Sequence, residues 1–256
     1  MSVLPGLFIA LLGAVIGSFL NVCICRIPEG RSLVAPGSAC PGCGHPIRPY
    51  DNIPVLSYLI LKGRCRDCGR RISPRYIAVE LITAVIALFL FRQYGFSLQF
   101  LSAFVFAAAL VVVTFIDLEH GIIPDVITLP GIPLFMVLAV LVMGVSFLDA
   151  FLGAAVGSGI FYLIAEGYGF FTGREGMGGG DIKLLAMLGA FLGWQSLVFV
   201  LLASSLLGSV VGIGVMVAKR EGLRYAIPFG PFLAVSALAY IFWGYDFGRM
   251  MNLCWG

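Results

Sequence analysis

The sequence predicts an all-α polytopic membrane protein with about eight transmembrane helices and one cytoplasmic insertion between helices 1 and 2. Three observations predict it. Hydrophobic residues make up 60% of the 256-residue chain and charged residues only 11%, where a soluble domain carries about 25% charged. The apolar residues gather into runs long enough to cross a bilayer. The basic residues fall almost entirely on alternate connections between those runs.

A span needs roughly 20 apolar residues, and candidate runs lie near 5–24, 76–92, 98–116, 126–147, 149–165, 182–194, 196–217 and 228–247. The first has no basic stretch before it and no small-residue cleavage site after it, so it is expected to remain as a span. The run 126–147 carries Pro130 and Pro133, and 182–194 is short and holds glycine. Both are expected to be kinked or partial, so the count is eight to within one. Basic residues favour the cytoplasmic side. The insertion 26–75 holds nine: Arg26, Arg31, Arg48, Lys62, Arg64, Arg66, Arg70, Arg71 and Arg75. Threading the spans puts Arg174, Lys183, Lys219, Arg220 and Arg224 on the same face and leaves Arg92 and Arg249 opposite. Both termini are therefore predicted to lie outside the cytoplasm.

Within the insertion, CPGCGHPIRP (40–49) and CRDCGRRISP (65–74) repeat the pattern C-x-x-C-G-x-x-I-x-P at an offset of 25 residues. Two such pairs read as a structural zinc site of four thiolates, Cys40, Cys43, Cys65 and Cys68. The alternative is two disulfides, and a reducing cytoplasmic location favours the metal. Gly44 and Gly69 suit the positive φ of a tight knuckle, and the matched Ile and Pro predict a pseudo-symmetric pair. His45 is expected to stand by. Cys23, Cys25 and Cys254 read as small apolar side chains.

The sixth run opens on Gly178-Gly179-Gly180-Asp181, and TFIDLEHGIIPD (114–125) ends the third run at the same predicted face. An ionisable group at a span centre costs about 2.5–3.5 kcal/mol, so such residues face water or serve chemistry. Two neighbouring carboxylates share a proton; one then acts as base on a water while the other polarises a carbonyl. The glycines leave room for an extended peptide beside Asp181. The competing reading is that Asp181 merely complements a helix dipole and that Asp117 and Asp125 cap helices. The glycine run and the second acid at equal depth favour the aspartic-protease pair.

These residues resemble the type IV prepilin peptidases, bifunctional membrane enzymes of the GxGD aspartic protease class. Gly178 to Asp181 match the GxGD motif, followed by Ile182-Lys183-Leu184, and Asp117 to Asp125 match the motif of the other catalytic aspartate. GSFLNV (17–22), NIPVLSYL (52–59), ISPRYIAVE (72–80) and IPFGPFL (227–233) match further segments in order. The resemblance implies catalytic Asp117 and Asp181, with Gly178, Gly180, Asp125 and Lys183 completing their motifs. It implies cleavage of a basic leader from prepilins or pseudopilins at the cytoplasmic face of the bacterial inner membrane. N-methylation of the new terminus by S-adenosylmethionine would follow. The implied organisation is a first transmembrane helix (1–25), a zinc module linked to methylation (26–75) and a transmembrane peptidase domain (76–256). No donor-binding residue is assigned: Asn21 and Glu80 are as readily helix-packing residues.

The segments 117–125 and 166–181 hold Asp117, Glu119, Asp125, Glu166, Glu175 and Asp181 against Arg174, a formal balance of −5. The insertion, with nine bases against Glu29, Asp51 and Asp67, stands at +6. Glu119 and Glu175 are therefore expected to capture a basic leader, and the insertion to favour anionic lipid. No nucleic-acid partner is expected. The competing functions are a GxGD protease with another substrate, such as a preflagellin, and a non-enzymatic zinc-stabilised transporter or assembly scaffold.

Overall fold

The computed structural model describes residues 3–172, 178–219 and 228–255. Among these the chain is helical, with two isolated β-bridges and no strand. It forms two compact units, Met1–Val112 and Val113–Gly256. Each of the eight apolar runs is a helix. They are α1 (Val3–Arg26), α3 (Arg75–Tyr94), α4 (Leu98–His120), α5 (Asp125–Leu138), α6 (Phe147–Thr172), α7 (Gly179–Leu192), α8 (Trp194–Lys219) and α9 (Gly230–Trp255). A short α2 (Leu56–Ile60) lies in the insertion. Among the described residues, five helices are long and apolar enough to cross a membrane: α1, α3, α4, α8, and α5 with its extension to Met143. The stretches Phe147–Leu163 of α6 and Gly230–Gly244 of α9 are shorter apolar segments. Pro130 and Pro133 lie inside α5 without ending it, and the helix widens into a π turn over Ala139–Met143.

In the first unit α1 and α3 run antiparallel and close. A Cβ on Gly13 would fall 2.8 Å from the Ala84 Cα, and one on Gly17 would fall 2.7 Å from the Glu80 Cα. The G-x-x-x-G spacing thus lets two backbones approach, the usual device of helices packed in lipid. Outward, α1 shows Leu4, Leu7, Leu11, Val15 and Phe19, all exposed, an apolar stripe of the kind that marks a membrane contact.

In the second unit α7 is the hub. Its residues Leu184 to Phe191 are all buried, and α5, α6, α8 and α9 all pack on it. LLAMLGAFL is apolar on every side, which requires neighbours all round. Gly153 and Gly157 of α6 admit the backbone of α7 at Gly189 and Leu185. The first turn of this enclosed helix carries Asp181.

Candidate active site and metal centre

Both aspartates of the sequence reading lie in the second unit. Asp117 sits one turn before the end of α4, only 5% exposed. Gly121, with φ +64°, closes that helix, and its N–H donates to the Asp117 carbonyl at 2.8 Å. Ile122 to Pro124 then lead to Asp125 at the start of α5. Asp181 is half-buried in the first turn of α7, close enough that its carboxyl and that of Asp117 interact electrostatically.

Ile123 is the wedge between these segments. A Cβ on Gly180 would fall 2.8 Å from the Ile123 Cβ, so position 180 has room for glycine alone. Gly178, before the first turn of α7, would meet only the Asp181 Oδ2 at 3.7 Å, and Gly179 meets nothing within 4 Å. Both are exposed. The motif therefore divides its labour: Gly180 lets α7 approach the wedge, and Gly178 and Gly179 keep an open surface beside Asp181. Lys183 reaches Asp125 with its Nζ 2.7 and 2.8 Å from the two carboxylate oxygens. That ion pair ties α5 to α7 one turn from the aspartates.

The structure adds a residue to which sequence reasoning assigned no role. Gly230, the first residue of α9, donates its backbone N–H to the Asp117 Oδ2 at 3.0 Å in a buried contact. A Cβ there would fall 2.6 Å from that oxygen and 3.2 Å from the Ile123 Cδ1. The signal was present in IPFGPFL, a glycine set just where a helix begins. Nothing in one sequence says that this helix end meets residue 117.

The cysteine insertion folds as two matching knuckles. The Cys40 N–H donates to the His45 carbonyl at 2.9 Å, and Gly44 to the Cys40 carbonyl at 2.8 Å. Twenty-five residues on, Cys65 donates to Arg70 at 2.8 Å and Gly69 to Cys65 at 3.0 Å. Gly44 and Gly69 have φ of +71° and +69°, as the pattern required. The four Sγ atoms lie within 4.8 Å of one another, and Cys40 and Cys68 stand 3.8 Å apart. Four sulfurs about 2.3 Å from one zinc ion would be spaced about 3.8 Å apart, so the cluster has the size for a metal such as zinc. Cys40, Cys43, Cys65 and Cys68 are free thiols, as are Cys23 and Cys25. Backbone N–H groups of Gly42 and Cys43 hold the Cys40 thiol down to about 6, which prepares it to bind metal as a thiolate. His45 is exposed and no member of the cluster.

Glu119 is exposed on the last turn of α4, beside exposed His120, while Glu175 lies outside the described residues. Asn21 and Glu80 are buried between α1 and α3 in the first unit, with the Asn21 Nδ2 donating to the Tyr76 carbonyl at 3.0 Å.

Comparison with known proteins agrees with this division of the chain. Residues 11–94, with all four cluster cysteines, match the bacterial peptidase A24 N-terminal domain. Residues 104–213, with both aspartates, match the type IV leader peptidase family. A prepilin leader peptidase/N-methyltransferase of Pseudomonas putida is 38% identical over 265 residues, covering 94% of this chain and 92% of the relative. The protein of that name from Aeromonas hydrophila is 40% identical over 268 residues with the same coverage. The one from Myxococcus xanthus is 45% identical over 219 residues, 85% of this chain and 65% of its own length. No solved structure matches the chain. Extended similarity to these enzymes, together with the pairing of buried Asp117 and half-buried Asp181 inside the matched region, places the chain in the type IV leader peptidase family.

Proposed function

We propose that the chain is a membrane aspartic endopeptidase and N-methyltransferase. It removes the basic leader of type IV prepilins or pseudopilins at the cytoplasmic face of the bacterial inner membrane, then methylates the new N-terminus. The observation that carries this reading is the meeting of Asp117 and Asp181 at the mouth of α7, with the Asp117 Oδ2 held by the Gly230 N–H. An N–H donor is matched to a carboxylate oxygen, so Asp117 is assigned the base and Asp181 the proton. Asp117 takes a proton from water as the water oxygen attacks the scissile carbonyl carbon. Asp181 donates its hydrogen to the carbonyl oxygen as negative charge develops there. The diol then collapses with cleavage of the C–N bond, the proton held by Asp117 passing to the departing amine nitrogen and a hydroxyl proton returning to Asp181. Asp125 and Lys183 hold α5 and α7 in register. Gly178 and Gly179 admit the extended peptide, and Glu119 and Glu175 draw its basic residues.

The proposed topology is eight crossings with both termini outside. With 14 residues, α7 is about 21 Å long, short of the ~30 Å hydrocarbon core. Its first turn then begins below the cytoplasmic membrane surface, where the start of a substrate helix would lie. In the proposed organisation 1–25 is the first span, 26–75 the cytoplasmic module linked to methylation, and 76–256 the peptidase domain. Cys40, Cys43, Cys65 and Cys68 hold one structural zinc, which cross-links the two knuckles. S-adenosylmethionine supplies the methyl group. The test is incubation of the purified protein in detergent with S-adenosylmethionine and a peptide bearing a basic leader, read by mass. Loss of the leader followed by gain of one methyl group is expected. Intact peptide would overturn the reading.

A further inference from the structure

The junction between the insertion and α3 contains a strained turn. Val55, a β-branched residue, has φ +62° and ψ −51°, a region that such side chains avoid. The Leu56 N–H donates to the Pro54 carbonyl at 2.6 Å, closing a tight γ-type turn about Val55. Strain of this kind persists only where the surroundings over-determine it. Here two side chains do so. Ser57, itself buried, accepts the Ile53 N–H at 3.0 Å and donates to the Tyr50 carbonyl at 3.0 Å. Glu80 of α3, 8% exposed, accepts the Val55 N–H on its Oε2 at 2.8 Å. Its carboxylate also meets the Ser18 side chain of α1.

Glu80 stands where α1 and α3 press most closely, its Cα 2.7 Å from the position of a Gly17 Cβ. A carboxylate buried at a helix interface is costly unless its hydrogen bonds are used. The bond it makes across 25 residues is to the N–H of Val55 itself, at the centre of the strained turn. That turn starts α2, whose Leu56, Leu59 and Ile60 are exposed. The aspartates lie in the other unit.

We infer that Glu80 is a positioning residue for methyl transfer: it latches the strained Val55 turn, and with it α2, onto the α1–α3 pair. This rests on the proposed assignment of methylation to the cysteine module. Glu80→Ala should lower methyl transfer to a synthetic peptide that already starts at the new N-terminus by about tenfold, the scale of one lost hydrogen bond to a charged group. Leader cleavage and metal content should stay at wild-type levels. Glu80→Gln keeps an acceptor oxygen and should retain most of the transfer. The diagnostic variant is Val55→Gly in the Glu80→Ala background. Glycine adopts φ +62° without a steric penalty, so the turn no longer needs its latch and transfer should recover. A double variant as impaired as Glu80→Ala, or cleavage falling in step with methylation, would overturn the inference. Hydrogen exchange reads the latch by itself: the Val55 amide should be protected in the wild type and exchange faster in Glu80→Ala. An unprotected wild-type amide would refute the latch. Wild-type protein that transfers no methyl would instead refute the functional assignment, leaving exchange to judge the latch.

Discussion

Gly230→Ala tests the catalytic geometry without touching either aspartate. The added Cβ would lie 2.6 Å from the Asp117 Oδ2, 3.3 Å from the Asp117 Cγ and 3.2 Å from the Ile123 Cδ1. Carbon and oxygen sit comfortably at about 3.3–3.6 Å, so the carboxylate must retreat by roughly 0.7–1 Å. Movement of Ile123 would not relieve this, because the shortest contact of the new Cβ is to the carboxylate oxygen itself. The displaced carboxylate loses both its aim at the water and a good bond to the Gly230 N–H. A misplacement of about 1 Å costs on the order of a hundredfold in rate. The expected result is therefore kcat for leader cleavage down about a hundredfold, with KM little changed because residue 230 faces the carboxylate. Gly159→Ala is the control, since a Cβ there meets nothing within 4 Å; it should cleave normally. Cleavage by Gly230→Ala within a few-fold of wild type, with the protein inserted and folded, would refute the role assigned to this amide.

Asp117→Asn and Asp181→Asn should each abolish cleavage while leaving membrane insertion intact, as peptide assay and fractionation would check; Asp125→Asn, which loses only the bridge to Lys183, should be milder. The double variant Cys43→Ser/Cys68→Ser should lose near-stoichiometric zinc by metal analysis, and a disulfide in protein prepared without oxidant would contradict the metal site. Replacing Glu119 and Glu175 with Lys should raise KM for a basic leader several-fold and flatten the salt dependence of kcat/KM, since salt-screened charge attraction contributes less than about 1 kcal/mol per charge. Unchanged relative efficiency on basic and neutral leaders across salt concentrations would end the capture idea.

What the sequence made legible follows from how far each feature reaches along the chain. The knuckles are local: each is closed within six residues, and both the repeat of C-x-x-C-G and the positive φ of Gly44 and Gly69 were readable in advance. That the apolar runs are helical was readable because apolar runs of that length have few other fates; among the described residues five of the helices are long and apolar enough to cross a membrane. The aspartate pair was readable only because orientation rules put residues 117 and 181 at one face and the motifs resemble a known family. The Gly230 contact was not readable. It joins positions 113 residues apart through a backbone amide, and an amide leaves no trace in residue type beyond the glycine that permits it. The burial of α7 was half legible. Its all-apolar composition reads as a short span, while its enclosure by four other helices of its unit is a property of packing.

This difference in reach also bears on how one chain can hold both a cysteine cluster and an acid pair. The contacts that shape the metal knuckles all fall between residues 38 and 72. The contacts that shape the acid pair all fall after residue 113, among Asp117, Ile123, Asp125, Gly180, Lys183 and Gly230. A metal cluster draws its stability from ligation, so it tolerates an exposed, basic shell with little apolar core. A shared-proton carboxyl pair needs the reverse: enclosure that limits water, donors that fix one oxygen, and glycines where side chains would intrude. Those demands conflict within a single small core. Placing them in separate units lets the first stay hydrated and charged while the second is built around α7, whose residues Leu184 to Phe191 are all buried.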